Sequence, residues 1–183
     1  MKKNFKVVNN LTPSVDGKGL MQGRRAYVND LAPGDCLIVK LLRSPHAFAK
    51  VKKVDVSEAL KLPGLECILT KDNVPHVSFT RAGQGYPEPS PHDKFIFDDY
   101  ARYVGDEVAA VAAVTEEIAL EAMKLIKVDY EVLEPVLDFE KSFENPIVIH
   151  PEDGIHDMFP IGFDPKKNLA ASYEMEVGNV EEE

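Results

Sequence analysis

Several things are scarce in this sequence, and each shortage narrows what the chain can be. It has no tryptophan and only two cysteines, Cys36 and Cys67. They lie far apart, each inside an apolar run, which reads as two buried thiols in a reducing, cytoplasmic setting; a disulfide stays open. No apolar run approaches the ~18 residues of a membrane span. The basic start, Met1-Lys2-Lys3-Asn4-Phe5-Lys6, has no apolar stretch behind it and is no signal peptide. Positive charge is short as well: 21 Lys and Arg face 31 Asp and Glu, a net charge of −10. The basic footprint that nucleic-acid binding requires is therefore missing. There is no internal repeat, no low-complexity tract and no Gly-x-Ser-x-Gly nucleophile elbow.

What is present is ordinary globular material. The 183 residues are 44% hydrophobic, enough for one domain, or one domain with an extension, and a core that needs no metal or disulfide staple. Residues 1–22 are polar and broken by Pro13, Gly17 and Gly19, and read as an extended lead-in. Cys36 to Leu42 is a nearly continuous apolar run after the Pro33-Gly34 turn and before Pro45, a buried strand. Ala49 to Val56 alternates as a half-buried strand. Ser57 caps a short helical turn that Pro63-Gly64 stops. Glu66 to Thr70 reads as a further strand, and Phe95 to Val104 as extended chain before the Gly105-Asp106 turn. Glu107 to Val114 has the length of a buried strand, although its alanines would also suit a helix.

Thr115 then caps a helix with Glu116 and Glu117 in its first turn. Ile118, Ala119, Ala122, Leu125 and Ile126 form its apolar face. Lys127 to Val132 alternates as a strand. The spacing predicts that this helix packs on one sheet holding the strands near 36–43, 107–114 and 127–132. Residues 71–94, with Pro75, Pro87, Pro89 and Pro91, are a long loop of the kind that is usually functional or mobile. From His150 onward the chain is rich in Pro, Gly and acids.

Chemistry is sparse. Gly17-Lys18-Gly19 followed by Gly23 has the wrong spacing for a dinucleotide loop. Gly83-Gln84-Gly85 reads as a backbone-permissive turn. Ser44 and His46 are neighbours in sequence, which does not make them a nucleophile and its base, and His46 reads as structural. His150, Glu152, Asp153, His156 and Asp157 are the densest set of potential metal ligands, but no zinc spacing fits them and a solvated loop is the simpler reading. No catalytic, cofactor-binding or metal-binding residue is assigned. The residues alone support an α+β domain with a long loop.

Several motifs in order nevertheless carry a family resemblance. Leu42-Arg43-Ser44-Pro45-His46-Ala47, then Asp55-Val56-Ser57-Glu58-Ala59, Leu62-Pro63-Gly64 and Arg102-Tyr103-Val104-Gly105-Asp106-Glu107-Val108-Ala109-Ala110-Val111 resemble the opening of the molybdenum-binding subunit of xanthine dehydrogenase and aldehyde oxidase. So do the helix from Thr115, the strand Val128-Asp129-Tyr130-Glu131 and Pro135-Val136-Leu137-Asp138. The resemblance runs from about Gly23 to about Asp138. It implies an α/β hammerhead domain, α+β with a mixed sheet and packed helices, over 23–145. Residues 1–22 would be the lead-in and 146–183 a linker toward further, molybdopterin-binding domains. The family's catalytic glutamate and cofactor motifs lie beyond this region, so no cofactor role passes to Gln84.

The resemblance also implies the setting. Complete enzymes of the family hydroxylate purines, other N-heterocycles or aldehydes with water-derived oxygen. They use molybdopterin, iron–sulfur clusters and usually FAD, held partly in partner subunits or domains. The expectation for this chain is a structural, inactive piece of such a subunit, with no cofactor of its own and neither nucleic acid nor membrane as partner. The unpacked Val177 to Glu183 stretch favours that over a stand-alone binding or scaffolding domain. A small metalloenzyme using His150 to Asp157 is the remaining alternative. The loop near 77–94, with Tyr86 toward its tip, would face the further domains and line a substrate funnel.

Overall fold

The computed structural model describes residues 6–8, 10–24, 27–82 and 90–178. The chain divides into two compact units, Met1–Cys36 and Leu37–Glu183. The first holds two short helical pieces, α1 (Gly17–Met21) and α2 (Val28–Leu31). The lead-in is thus not wholly extended. Local bonds account for its turn: the Leu20 amide donates to the Asp16 carbonyl and the Gln22 amide to that of Lys18. α1 buries none of its residues, so it makes no core.

Among its described residues the second unit carries six strands and a longer helix: β1 (Ile38–Arg43), β2 (Ala49–Asp55), β3 (Leu65–Thr70), β4 (Tyr100–Ala101), β5 (Glu107–Ala113), α3 (Glu116–Leu125) and β6 (Lys127–Val132). They form two three-stranded sheets, ordered β1-β5-β3 and β4-β2-β6, and every pairing is antiparallel. The strand and helix positions follow the apolar periodicity of the sequence closely. Their assembly does not follow the single sheet expected. β6 leaves the sheet of β1 and β5 and pairs with β2.

The residues explain that partition. Opposite charges face each other along β2 and β6: Lys50 opposite Glu131, Lys53 opposite Asp129 and Asp55 opposite Lys127. Such cross-strand pairs each contribute a few tenths of a kcal/mol, about 0.2–1. β5 has no charge after Glu107, and Val108 to Ala113 are all buried. It can sit only in the middle of a sheet, and its alanines settle as strand because β1 and β3 take up both of its edges.

α3 begins where the sequence placed it. The Thr115 hydroxyl accepts from the Ile118 amide at 3.3 Å. Ala119 and Ala122 are buried, and Ile118 and Leu125 pack beside them on a core shared by both sheets, with Val51, Val54, Ile68, Val111 and Ile126. Gly64 makes the close approach between the turn before β3 and this helix. Its φ is +83°, and a Cβ there would meet Ile118 Cδ1 at 2.8 Å and Val114 Cγ2 at 2.9 Å. Only glycine suits that backbone region without strain.

The cysteines depart from expectation: both are free and exposed. The Cys36 amide closes the turn from Pro33, ahead of the strand it was read into. Cys67 lies on β3 between Glu66, also exposed, and buried Ile68. The pleat turns Ile68 toward α3 and Cys67 away from it.

Candidate functional site

Polar groups sealed from solvent gather at one end of the second unit, where β5 starts. Asp106 is 1% exposed. The turn that delivers it closes with the Asp106 amide donating to the Tyr103 carbonyl at 3.1 Å. Gly105 supplies the turn's φ of +98°. Asp106 Oδ1 accepts from Lys94 Nζ at 2.5 Å and from the Glu107 amide at 3.1 Å. Its Oδ2 accepts from the Arg102 amide at 2.9 Å. A carboxylate this buried persists because an ammonium and two amides surround it.

Arg102 extends the network to a distant segment. Nη1 donates to Asp98 Oδ2 at 2.7 Å, Nε to the Ile149 carbonyl at 3.1 Å, and Nη2 to Glu152 Oε1. His150 Nδ1 lies 2.9 Å from the same Glu152 oxygen. Burial opposes ionisation of Glu152. The His150 hydrogen bond and the Arg102 charge outweigh it and hold the carboxyl below the usual glutamate range. Two further ties fix this strap. Residues 92 and 156 pair as an antiparallel bridge, and Ser78 Oγ donates to the Gly154 carbonyl at 2.8 Å.

A third ion group covers the start of β5. Arg81 Nη2 lies 2.6 Å from Glu107 Oε2, and Arg43 Nη1 lies 3.2 Å from Glu107 Oε1. Arg81 Nη1 also donates to the Tyr103 hydroxyl at 2.9 Å. Burial pushes the Tyr103 phenol up. A cleft of about 250 Å³ opens among Arg81, Lys94, Arg102, Tyr103 and His150.

This arrangement can hold chain segments together. Lys94 is neutralised by Asp106, Arg102 by Asp98 and Glu152, and Arg81 by Glu107. Arg81 shares Glu107 with Arg43, and no group of three His, Cys, Asp or Glu among the described residues could hold a metal ion. A cleft whose lysine and arginines are all tied to carboxylates does not fit the phosphate of a pterin cofactor.

The residues weighed in the sequence find plain structural places. Ser44 Oγ accepts from the His46 amide at 3.1 Å, and the His46 ring meets Tyr130 edge-on at 4.9 Å; the two are a turn, not a nucleophile and base. Of the acidic and histidine set, Glu152 and His150 join Arg102, while the 156 position pairs with 92. They are ties of the strap. Gly17, Lys18 and Gly19 fall in α1. Gly83, Gln84 and Gly85 lie outside the described residues, as does Tyr86. The sequence reading missed the buried pairs of Lys94 and Arg102. Only the Asp98–Arg102 spacing of four hinted at one; the other partners are 12 and 50 residues away.

The comparisons with known proteins agree with one another. Residues 22–134 match the family model described as "Aldehyde oxidase and xanthine dehydrogenase, a/b hammerhead domain". The probable hypoxanthine oxidase XdhD of Escherichia coli O157:H7 is 39% identical over 97% of this chain and 21% of its own length. The nicotinate dehydrogenase large molybdopterin subunit of Eubacterium barkeri is 28% identical over 86% of this chain and 36% of its own. Quinoline 2-oxidoreductase from Pseudomonas putida 86 superposes with a TM-score of 0.58 at 30% identity, over 72% of this chain and 17% of that one. The chain spans about a fifth of the length of the first of these relatives.

Proposed function

Since this chain belongs to the aldehyde oxidase and xanthine dehydrogenase family and carries its α/β hammerhead domain, we propose that it serves as a structural domain of a molybdenum hydroxylase subunit and performs no chemistry by itself. The observation that carries this is the set of ion pairs in the cleft beside Asp106. The lysine and arginines of its wall are each committed to a carboxylate, so their charge is spent on holding the fold. The parent enzyme would hydroxylate a purine, another N-heterocycle or an aldehyde. It would rely on molybdopterin, iron–sulfur clusters and FAD carried by other domains or subunits, in the cytoplasm.

In this reading residues 1–22 lead in, 23–145 form the hammerhead, and 146–183 run toward the molybdopterin-binding domains. The strap around Glu152 gives that last segment a fixed point of departure. The test is direct. The purified chain is assayed for molybdenum and for xanthine and hypoxanthine oxidation with an artificial electron acceptor. Neither metal nor turnover is expected; turnover traceable to the chain overturns the proposal.

The same reading gives the loop at 77–94 a place beside the substrate funnel. Its base is clamped, since Phe79 and Lys94 exchange backbone hydrogen bonds of 2.8 and 3.1 Å. In the complete enzyme, Tyr86→Ala is expected to change KM or substrate preference with cofactor content intact. Unchanged kinetics on every substrate removes the funnel role.

A further inference from the structure

The sheet β1-β5-β3 has two faces, and α3 covers only one. Cross-strand register builds the other from two rows: Val39, Ala112 and Cys67 in one, and Leu41, Ala110 and Leu69 in the next. Directly opposed residues point to the same side. All six side chains are uncharged and apolar, in a chain of net charge −10. Val39 is 58% exposed, Leu41 37% and Leu69 40%, and Cys67 is exposed too.

The face also has a shape. Alanines floor the middle strand, and larger side chains stand on the strands either side. Neighbouring strands lie about 4.8 Å apart, so the two walls are roughly 10 Å apart. An α-helix with its side chains is about 10–12 Å across and would rest across the two walls, with its apolar side chains reaching toward that floor.

We propose that this face is a docking groove for an apolar-faced helix from the same polypeptide, outside the 183 residues described by this sequence. The proposal rests on the reading of the chain as one domain of a larger subunit. Two observations select this occupant. The probable hypoxanthine oxidase XdhD named above has about four fifths of its length outside the match. The patch itself covers roughly 200 Å², from the strand spacing and rise, whereas a stable complex of separate proteins buries about 800 Å² per partner. A second copy or a free partner would gain too little. A tethered helix needs less, because its effective concentration is already high.

Cys67 is the reporter, since it stands in the β3 wall of the groove, beside Leu69, and is exposed. Isotope-coded iodoacetamide labelling is followed at the Cys67 peptide by mass spectrometry, in this chain and in the polypeptide translated from the whole gene. Docking is expected to slow alkylation of Cys67 about tenfold or more in the longer polypeptide, because the thiol then reacts only after local opening. Leu41→Lys is expected to restore fast labelling there, and to leave the urea midpoint of this chain alone unmoved. Equal labelling rates in the two proteins overturn the proposal, as does a gene that encodes nothing more. Molybdenum content is measured on the same samples. A loaded subunit with a reactive Cys67 refutes the groove and leaves the domain reading standing, while a protected Cys67 without molybdenum does the reverse.

Discussion

Asp106→Ala removes the centre of the buried polar network, and its cost can be worked from the geometry. The Lys94 and Asp106 side chains are 11% and 1% exposed. Without the carboxylate, an ammonium is left in a nearly sealed place, with the Tyr103 ring 5.7 Å away. The amides of Arg102 and Glu107 lose their acceptor as well. Breaking one side of a buried pair costs about 3–5 kcal/mol, a large share of the ~5–15 kcal/mol that holds a domain folded. With a urea dependence of about 2 kcal/mol per molar, the midpoint falls by roughly 2 M. Urea unfolding of this chain, followed by far-UV circular dichroism, reads that shift. Lys94→Met should cost less, because Asp106 keeps both amide donors. The double variant Lys94→Met/Asp106→Ala should cost clearly less than the two single changes summed, since neither charge is then stranded. A midpoint shift for Asp106→Ala equivalent to less than ~0.5 kcal/mol, the size of a surface substitution, would refute the reasoning.

Two more outcomes follow from the same structure. Gly64→Ala is expected to destabilise the chain by about 2 kcal/mol or more, combining the ~1–2 kcal/mol of left-handed backbone strain with the crowding at Ile118 and Val114; an unchanged thermal midpoint would show that the turn relaxes freely. Glu152 has a folded-state pKa below its ordinary value, so its contribution is fully present above the unfolded-state value and is lost as pH falls through the folded one. Stability should therefore drop on acidification below the usual glutamate range, and Glu152→Gln should flatten that part of the profile; parallel profiles for the two proteins would contradict the assignment.

Much of the architecture was legible because it is written in local periodicity. Apolar spacing located β1, β2, β3, β5, α3 and β6 to within a residue or two, and Thr115 announced the helix start because a cap acts over three residues. The motif order around Arg43 to His46 and Arg102 to Val111 was sufficient to point to the family. The site was less legible. An arginine and a glutamate 50 residues apart look like two solvated charges until the chain folds.

The sequence by itself therefore determined which segments become strands and helix, which face of each is apolar, and which family the domain belongs to. Those properties depend on neighbours within a few residues. Tertiary structure alone decided the rest. It split the strands into two sheets according to charge register, placed the alanine strand at the centre of one, buried Lys94, Asp106 and Arg102 as mutual partners, and left Cys67 on an open face. Period two says that alternate residues of β3 point opposite ways. Which side receives the helix, and which stays open, is settled only by what packs against it.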